Sequence, residues 1–155
     1  MALTVGTDSY ATLAELQAYI DEFIFDITAW TALTETQKEN YAKQATRNID
    51  KGIYKGCKYD VEQDLAFPRT WYKTVDVAGE IPNSVKLAQA YECISLTNFN
   101  FTRLNKQAAG VKSTSTKSAS ASYSEQSIRE SKQGKRLDIE AQYALRAYTT
   151  LPSRC

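Results

Sequence analysis

The sequence predicts a mainly α-helical protein, a small bundle of about four helices with a polar extended or β-hairpin segment near residues 111–124. Three observations carry this. Two Thr-x-x-Glu/Gln boxes each precede apolar residues at helical spacing. A third stretch, opened by Pro82, is apolar on more than one side. The composition then turns abruptly at Gly110 to Ser, Thr and Lys, with almost no large apolar side chain.

The elements follow in order. Met1 to Asp8 reads as an extended arm. Thr12-Leu13-Ala14-Glu15 is a capping box, in which the Thr12 hydroxyl takes a free N–H and Glu15 reaches back. Leu13, Leu16, Ile20, Phe23 and Ile24 recur at helical spacing, which predicts a helix from about Leu13 to Phe25. Trp30 and Leu33 pack the turn that follows. Thr34-Glu35-Thr36-Gln37 is a second box and opens a helix to about Lys51, with Gly52 as its terminator. Two capped helices joined by a short turn predict an antiparallel pair. Gly52 to Asp60 is rich in Lys and Tyr and reads as a loop.

Gln63 to Lys86 organises the chain. Pro68 fixes its own φ and disfavours helix at Phe67, so the backbone runs extended there. Leu65, Phe67 and Trp71 are apolar anchors that an unpinned connector does not need. Arg69 offers a planar fork of donors, suited to carbonyls left unpaired at helix C-termini. Pro82, just after Ile81, suits the first position of a helix, where a missing N–H costs little. Leu65, Phe67, Pro68, Arg69, Trp71, Ile81 and Pro82 therefore read as a structural strap; the plainer reading is an ordinary loop with two incidental prolines. The third helix runs from Pro82 to about Leu104 and is expected to be the most buried. Val111 to Ser124 reads either as a linker or as a polar hairpin that needs neighbouring chains to pair with it. Its lack of large apolar residues predicts that it orders on assembly. Leu137, Ala141, Ala144, Leu145 and Tyr148 mark a last helix. The layout is thus residues 1–110 as helical core, 111–136 as polar loop or hairpin, and 137–155 as C-terminal helix and tail, within one domain overall.

A chain of 155 residues can bury a sizeable core, and a formal charge of +1 gives no overall pull towards nucleic acid. Locally the charge divides. Met1 to Asn40 holds seven acids against Lys38 alone, and Arg103 to Arg136 holds eight bases against Glu125 and Glu130. That split suits head-to-tail contacts between copies or a basic surface near a polyanion, and equally two solvated faces.

Catalytic signals are thin. There is no His, and no P-loop, GxGxxG or GxSxG pattern. Cys57, Cys93 and Cys155 are odd in number and widely spaced, so neither a disulfide framework nor a zinc site follows. Cys57 beside Lys58 offers a lowered-pKa thiol without a partner base. Asp21, Glu22 and Asp26 offer a cation site or, more simply, a solvated helix face. No signal peptide or spanning segment is evident. The sequence therefore predicts a non-enzymatic binding or assembly module without metal or cofactor, made in a reducing cytoplasm.

A resemblance adds to this. Asp8-Ser9-Tyr10-Ala11-Thr12-Leu13 precedes the first helix, and Trp30 precedes a helix ending Ala45-Thr46-Arg47-Asn48-Ile49-Asp50. Then come Gln63-x-Leu65-x-Phe67-Pro68-Arg69 and Ile81-Pro82-x-x-Val85-Lys86-x-Ala88, with Glu92 a turn further on. From Asp8 to Glu92 the order resembles the head–tail adaptor (connector, head-completion) family of tailed bacteriophages. Members often carry the label DnaT-like single-stranded-DNA-binding protein.

The resemblance implies a homo-oligomeric ring of about a dozen copies in the virion neck, below the portal protein. Such a ring extends the channel for packaged double-stranded DNA and docks a stopper or tail-completion protein; no membrane is involved. It implies a portal-binding tail of Tyr148, Leu151, Pro152, Ser153, Arg154 and Cys155. Lys112, Lys117 and Tyr123 would lie in a channel-lining or inter-subunit segment. The alternative is a non-sequence-specific single-stranded-DNA-binding module. It would draw on Tyr54, Lys55, Lys58, Tyr59, Arg69, Trp71, Tyr72 and Lys73 as interleaved bases and aromatics.

Overall fold

The computed structural model of the chain describes residues 3–70, 79–98, 113–116, 119–122 and 137–149. The protein is mainly helical. It divides into two compact units, one of Met1–Asn98 with Leu137–Cys155 and one of Phe99–Arg136.

In the first unit, helix α1 spans Leu13–Phe23 and helix α3 spans Glu35–Asp50. Both boxes form. Thr12 Oγ1 accepts the Glu15 N–H at 3.2 Å, and Glu15 Oε2 accepts the Thr12 N–H at 2.8 Å. Thr34 and Gln37 repeat the exchange at 3.4 and 2.9 Å. Helix α1 stops two residues short of the expected end, because Ile24 is already extended. Between them lies a single-turn helix α2, Thr28–Thr31, where the sequence suggested only a turn; the Asp26 carboxylate accepts the Thr28 N–H at 3.2 Å, and Trp30 is buried. The arm is not extended. It folds back at Gly6, whose φ of +88° favours glycine, and the Gly6 N–H donates to Ser9 O at 2.8 Å.

After α3 comes a small antiparallel pair, β1 at Cys57–Lys58 and β2 at Arg69–Thr70, inside what reads from sequence as loop and strap. Helix α4 is described over Asn83–Asn98. The Pro82 carbonyl accepts the Lys86 N–H, so Pro82 sits at the cap, one position before the helix. Val85, Ala88, Gln89, Ala90, Glu92, Cys93, Ile94 and Leu96 are buried along α4, and it packs against α1, α2, α3 and the last helix, Ile139–Ala144, numbered α5. Helix α5 is capped by Asp138 and ends in a 3-10 turn at Arg146–Tyr148. The last helix is thus shorter than its periodicity suggests.

Two apolar clusters form the core, and α4 joins them. Val85 and Ala88 enter one, with Tyr10, Ile49, Tyr54, Leu65, Phe67, Leu145 and Tyr148. Ala90, Cys93, Ile94 and Leu96 enter the other, with Leu16, Ile20, Trp30, Ala42 and Ala45.

In the second unit, strands β3 (Ser113–Thr116) and β4 (Ala119–Ser122) form an antiparallel hairpin, with Ser113 opposite Ser122 and Thr116 opposite Ala119.

Candidate interaction surfaces

The strap residues do different jobs. Leu65 and Phe67 are buried, and Ile81 packs on the same cluster. Phe67 is the hub of an aromatic cage. Tyr10, Tyr54 and Tyr148 meet it edge to face, with centroids 6.0, 4.7 and 5.1 Å away. These partners come from the N-terminal arm, the loop after α3 and the 3-10 turn. Pro68 follows a cis peptide bond and is half-buried. Gln63 clamps the bend, its Nε2 donating to Leu65 O at 2.8 Å and Pro68 O at 2.9 Å. Trp71, Tyr72 and Lys73 lie outside the described residues.

Arg69 caps carbonyls, but not those of a helix end. Nε donates to Lys55 O at 2.8 Å, one terminal nitrogen to Ala66 O at 3.2 Å, and the other to Tyr54 O at 3.3 Å and to Gly56 O. The carbonyls belong to the loop after α3 and to the strap itself, because β1–β2 pairing sets Arg69 beside them. The other bases of this region are similarly engaged. Lys58 Nζ donates to Gln63 O at 2.9 Å, and Lys55 Nζ to Ala147 O at 3.3 Å. Tyr54 is buried, and its hydroxyl donates to Ile49 O at 2.6 Å.

Two polar residues of α4 are buried: Gln89, which the sequence did not single out, and Glu92, which entered only as part of the resemblance. Gln89 Nε2 donates to Ser9 Oγ at 2.7 Å, Thr46 Oγ1 at 2.9 Å and Ala42 O at 3.1 Å, while Oε1 accepts the Tyr10 N–H at 3.2 Å. This stitches the arm to α3. Glu92 Oε1 accepts from Asn48 Nδ2 and Oε2 from the Asp138 N–H, both at 2.8 Å. Burial pushes the Glu92 carboxyl up, against the pull of those two bonds. Glu92 thus fastens α3 and the cap of α5 to α4. No spacing rule separates such residues from surface polar ones on a helix. Among the described residues every buried side-chain N and O atom has a partner.

The remaining candidates are quickly placed. Tyr148 is buried against Phe67 rather than projecting with a tail, because the Lys55 N–H holds its carbonyl at 2.8 Å. Residues 151–155, Lys112, Lys117 and Tyr123 lie outside the described residues. Cys57 is disulfide-bonded, so it presents no thiol nucleophile. Cys93 is free but buried, and burial pushes its thiol up. Among the described residues no group of three or more His, Cys, Asp or Glu is placed to hold a metal, and no helix is long and apolar enough to cross a membrane.

Exposed apolar side chains mark the free surface. Phe23 and Phe25 lie at the end of α1, Tyr59 and Val61 in the β1–β2 connection, and Ile139 and Tyr143 on α5. Next to Phe23 and Phe25 stand exposed Asp21, Glu22 and Asp26.

The first unit is a helical-bundle domain whose buried polar groups serve its own backbone and its own helix caps. By sequence, the chain belongs to the family described as "Putative DnaT-like ssDNA binding protein", whose model it matches over residues 2–150. No curated protein and no solved structure matches it.

Proposed function

We propose that this chain is a structural, non-enzymatic head–tail adaptor of a tailed-phage virion. It would form a ring below the portal, continue the channel for packaged DNA and dock a stopper or tail-completion protein. The observation that carries the reading is the β3–β4 hairpin, eight strand residues of Ser, Thr and Ala in a two-stranded sheet. A lone two-stranded hairpin is marginal in water, and its edges are templates for strands of other chains. A segment built this way gains its stability from neighbours, as in a ring. The motif order from Asp8 to Glu92 supports the same reading. The portal-contacting tail would then begin beyond Tyr148, at Leu151 to Cys155.

The family description favours a second reading, a single-stranded-DNA-binding module. Such a site needs free bases beside free aromatics. Tyr54 and Arg69 turn their donors to the chain's own carbonyls, and Lys55 and Lys58 each donate to carbonyls as well, which weighs against these four as a site. Tyr59 is exposed, and Trp71, Tyr72 and Lys73 lie outside the described residues.

Native mass spectrometry of the purified protein decides between the two, alone, with the portal of its own phage, and with single-stranded oligonucleotides. A monomer that becomes a ring of many copies on the portal is the expected result. A monomer that ignores the portal and shifts on oligonucleotides would replace the adaptor reading with the DNA-binding one.

A further inference from the structure

We propose that the acidic, aromatic corner at the end of α1 is the docking surface for a second copy of this chain, which lays its basic stretch, Arg103 to Arg136, against it. The proposal deepens the assembly reading, on which it rests, by locating the contact between neighbours.

The corner is built by local geometry. Helix α1 ends at Phe23, and Ile24 turns extended. In extended backbone successive side chains alternate in direction. Ile24 accordingly packs on the core, while Phe25, the next residue, is fully exposed at 105 %. Phe23 remains 46 % exposed and stacks on Tyr19, with centroids 6.2 Å apart. A phenylalanine standing clear of its own fold beside a second exposed ring is an apolar patch that a partner can cover.

Charge selects the partner. Asp21, Glu22 and Asp26 flank the rings and are exposed. Asp21 is held ready, since Gln17 Nε2 donates to its Oδ1 at 2.7 Å while Gln17 Oε1 accepts from Trp30 Nε1 at 2.9 Å. Among the described residues, Lys38 is a base that reaches this region; it donates to Gln17 Oε1 at 3.4 Å and lies over the Trp30 ring, one positive charge against the three carboxylates of the corner. Nucleic acid is repelled by such a corner, and a cationic protein segment is attracted. This chain carries one, with eight bases against two acids between Arg103 and Arg136. Corner and stretch are different parts of one sequence, so the contact is heterologous, and repetition of it generates a ring or a filament.

The test uses the full-length chain with Phe25→p-benzoylphenylalanine, a photo-cross-linking side chain. Unlabelled and 15N-labelled copies are mixed at the highest soluble concentration in low salt, irradiated, and mapped by mass spectrometry. The expected result is cross-links between copies that land within Arg103 to Arg136. They should be lost in high salt and in the Asp21→Lys/Glu22→Lys variant, whose exposed positions leave the fold's circular dichroism unchanged. Cross-links confined to one chain, cross-links to other segments, or none at all overturn the proposal. Repeating the reaction on the portal separates the two readings. Copies that load on the portal without this cross-link retain the adaptor reading and refute the corner. Copies that cross-link here but ignore the portal do the reverse.

Discussion

Glu92 and Asn48 meet in the interior, with Nδ2 of Asn48 donating to Oε1 of Glu92 at 2.8 Å across the α3–α4 packing. Burial raises the Glu92 carboxyl above its ordinary 4.5, against the bonds from Asp138 and Asn48, and the nearby Asp138 charge adds to the rise. The folded state therefore holds this proton more tightly than the unfolded chain. The resulting stability is fully present below a pH of about 4.5 and is lost as pH rises through the folded value. Against a Glu92→Gln reference, the wild type should lose relative stability as pH rises. Urea midpoints of both proteins, taken roughly between pH 4 and 8, read this directly. A difference that does not vary with pH would refute it. Glu15 has the opposite sign: the hydrogen bond from Lys86, at 2.7 Å, holds its carboxyl low. Its contribution is present above the ordinary value and fades as pH falls, so Lys86→Met should remove part of the acid sensitivity.

Arg69→Ala strips donors from the carbonyls of Tyr54, Lys55, Gly56 and Ala66. The expected loss is about 2–3 kcal/mol. Arg69→Lys should recover only part of it, because an ammonium lacks the planar fork. Equilibrium unfolding measures the loss. A fully stable Arg69→Ala protein that has lost oligonucleotide binding would instead make the strap a DNA site.

Gly52 is needed for closeness. A Cβ there would lie 2.4 Å from the Tyr54 hydroxyl oxygen and 2.5 Å from Cζ. Tyr54 is buried and tied to Ile49 O, so it has little room to yield. Gly52→Ala should cost about 1–3 kcal/mol. The same substitution on a Tyr54→Ala background should cost much less, and a double-mutant cycle in urea tests that coupling. Equal costs in both backgrounds would show that the clash is not what Gly52 avoids.

Gln89→Leu keeps the shape and removes four polar contacts to the arm and α3. The loss should be about 2–3 kcal/mol. Amide exchange at Tyr10 should quicken by more than exchange along α1, because the arm is released first. Uniform quickening would mean the arm is held by its apolar contacts alone.

What the sequence showed and what it hid follow from range. The Thr12/Glu15 and Thr34/Gln37 boxes are complete within four residues, so they could be read directly. The anchoring residues Leu65 and Phe67 stood out because apolar groups around a proline have little reason to be there otherwise. Pairing of Cys57 with Thr70 spans a connection with no turn signature, and each strand is only two residues long. Gln89 and Glu92 look like surface residues by type, and only the three-dimensional convergence of α3, the arm and α5 buries them. The exposure of Phe25 was equally hidden, since Phe23 and Ile24 beside it continue the helical apolar pattern and only the early end of α1 turns Phe25 outward.

The bond from the Asp138 N–H to Glu92 also governs how the chain tolerates change in length. It joins α4 to the cap of α5, so the domain closes on itself on either side of residues 99–136. Closing a loop costs entropy that grows only with the logarithm of its length, and each doubling adds about 0.6 kcal/mol. The inserted stretch can therefore be lengthened, trimmed or rewritten at little expense to the bundle that brackets it. One scaffold can then carry inserts of many designs, each fitted to a different neighbour.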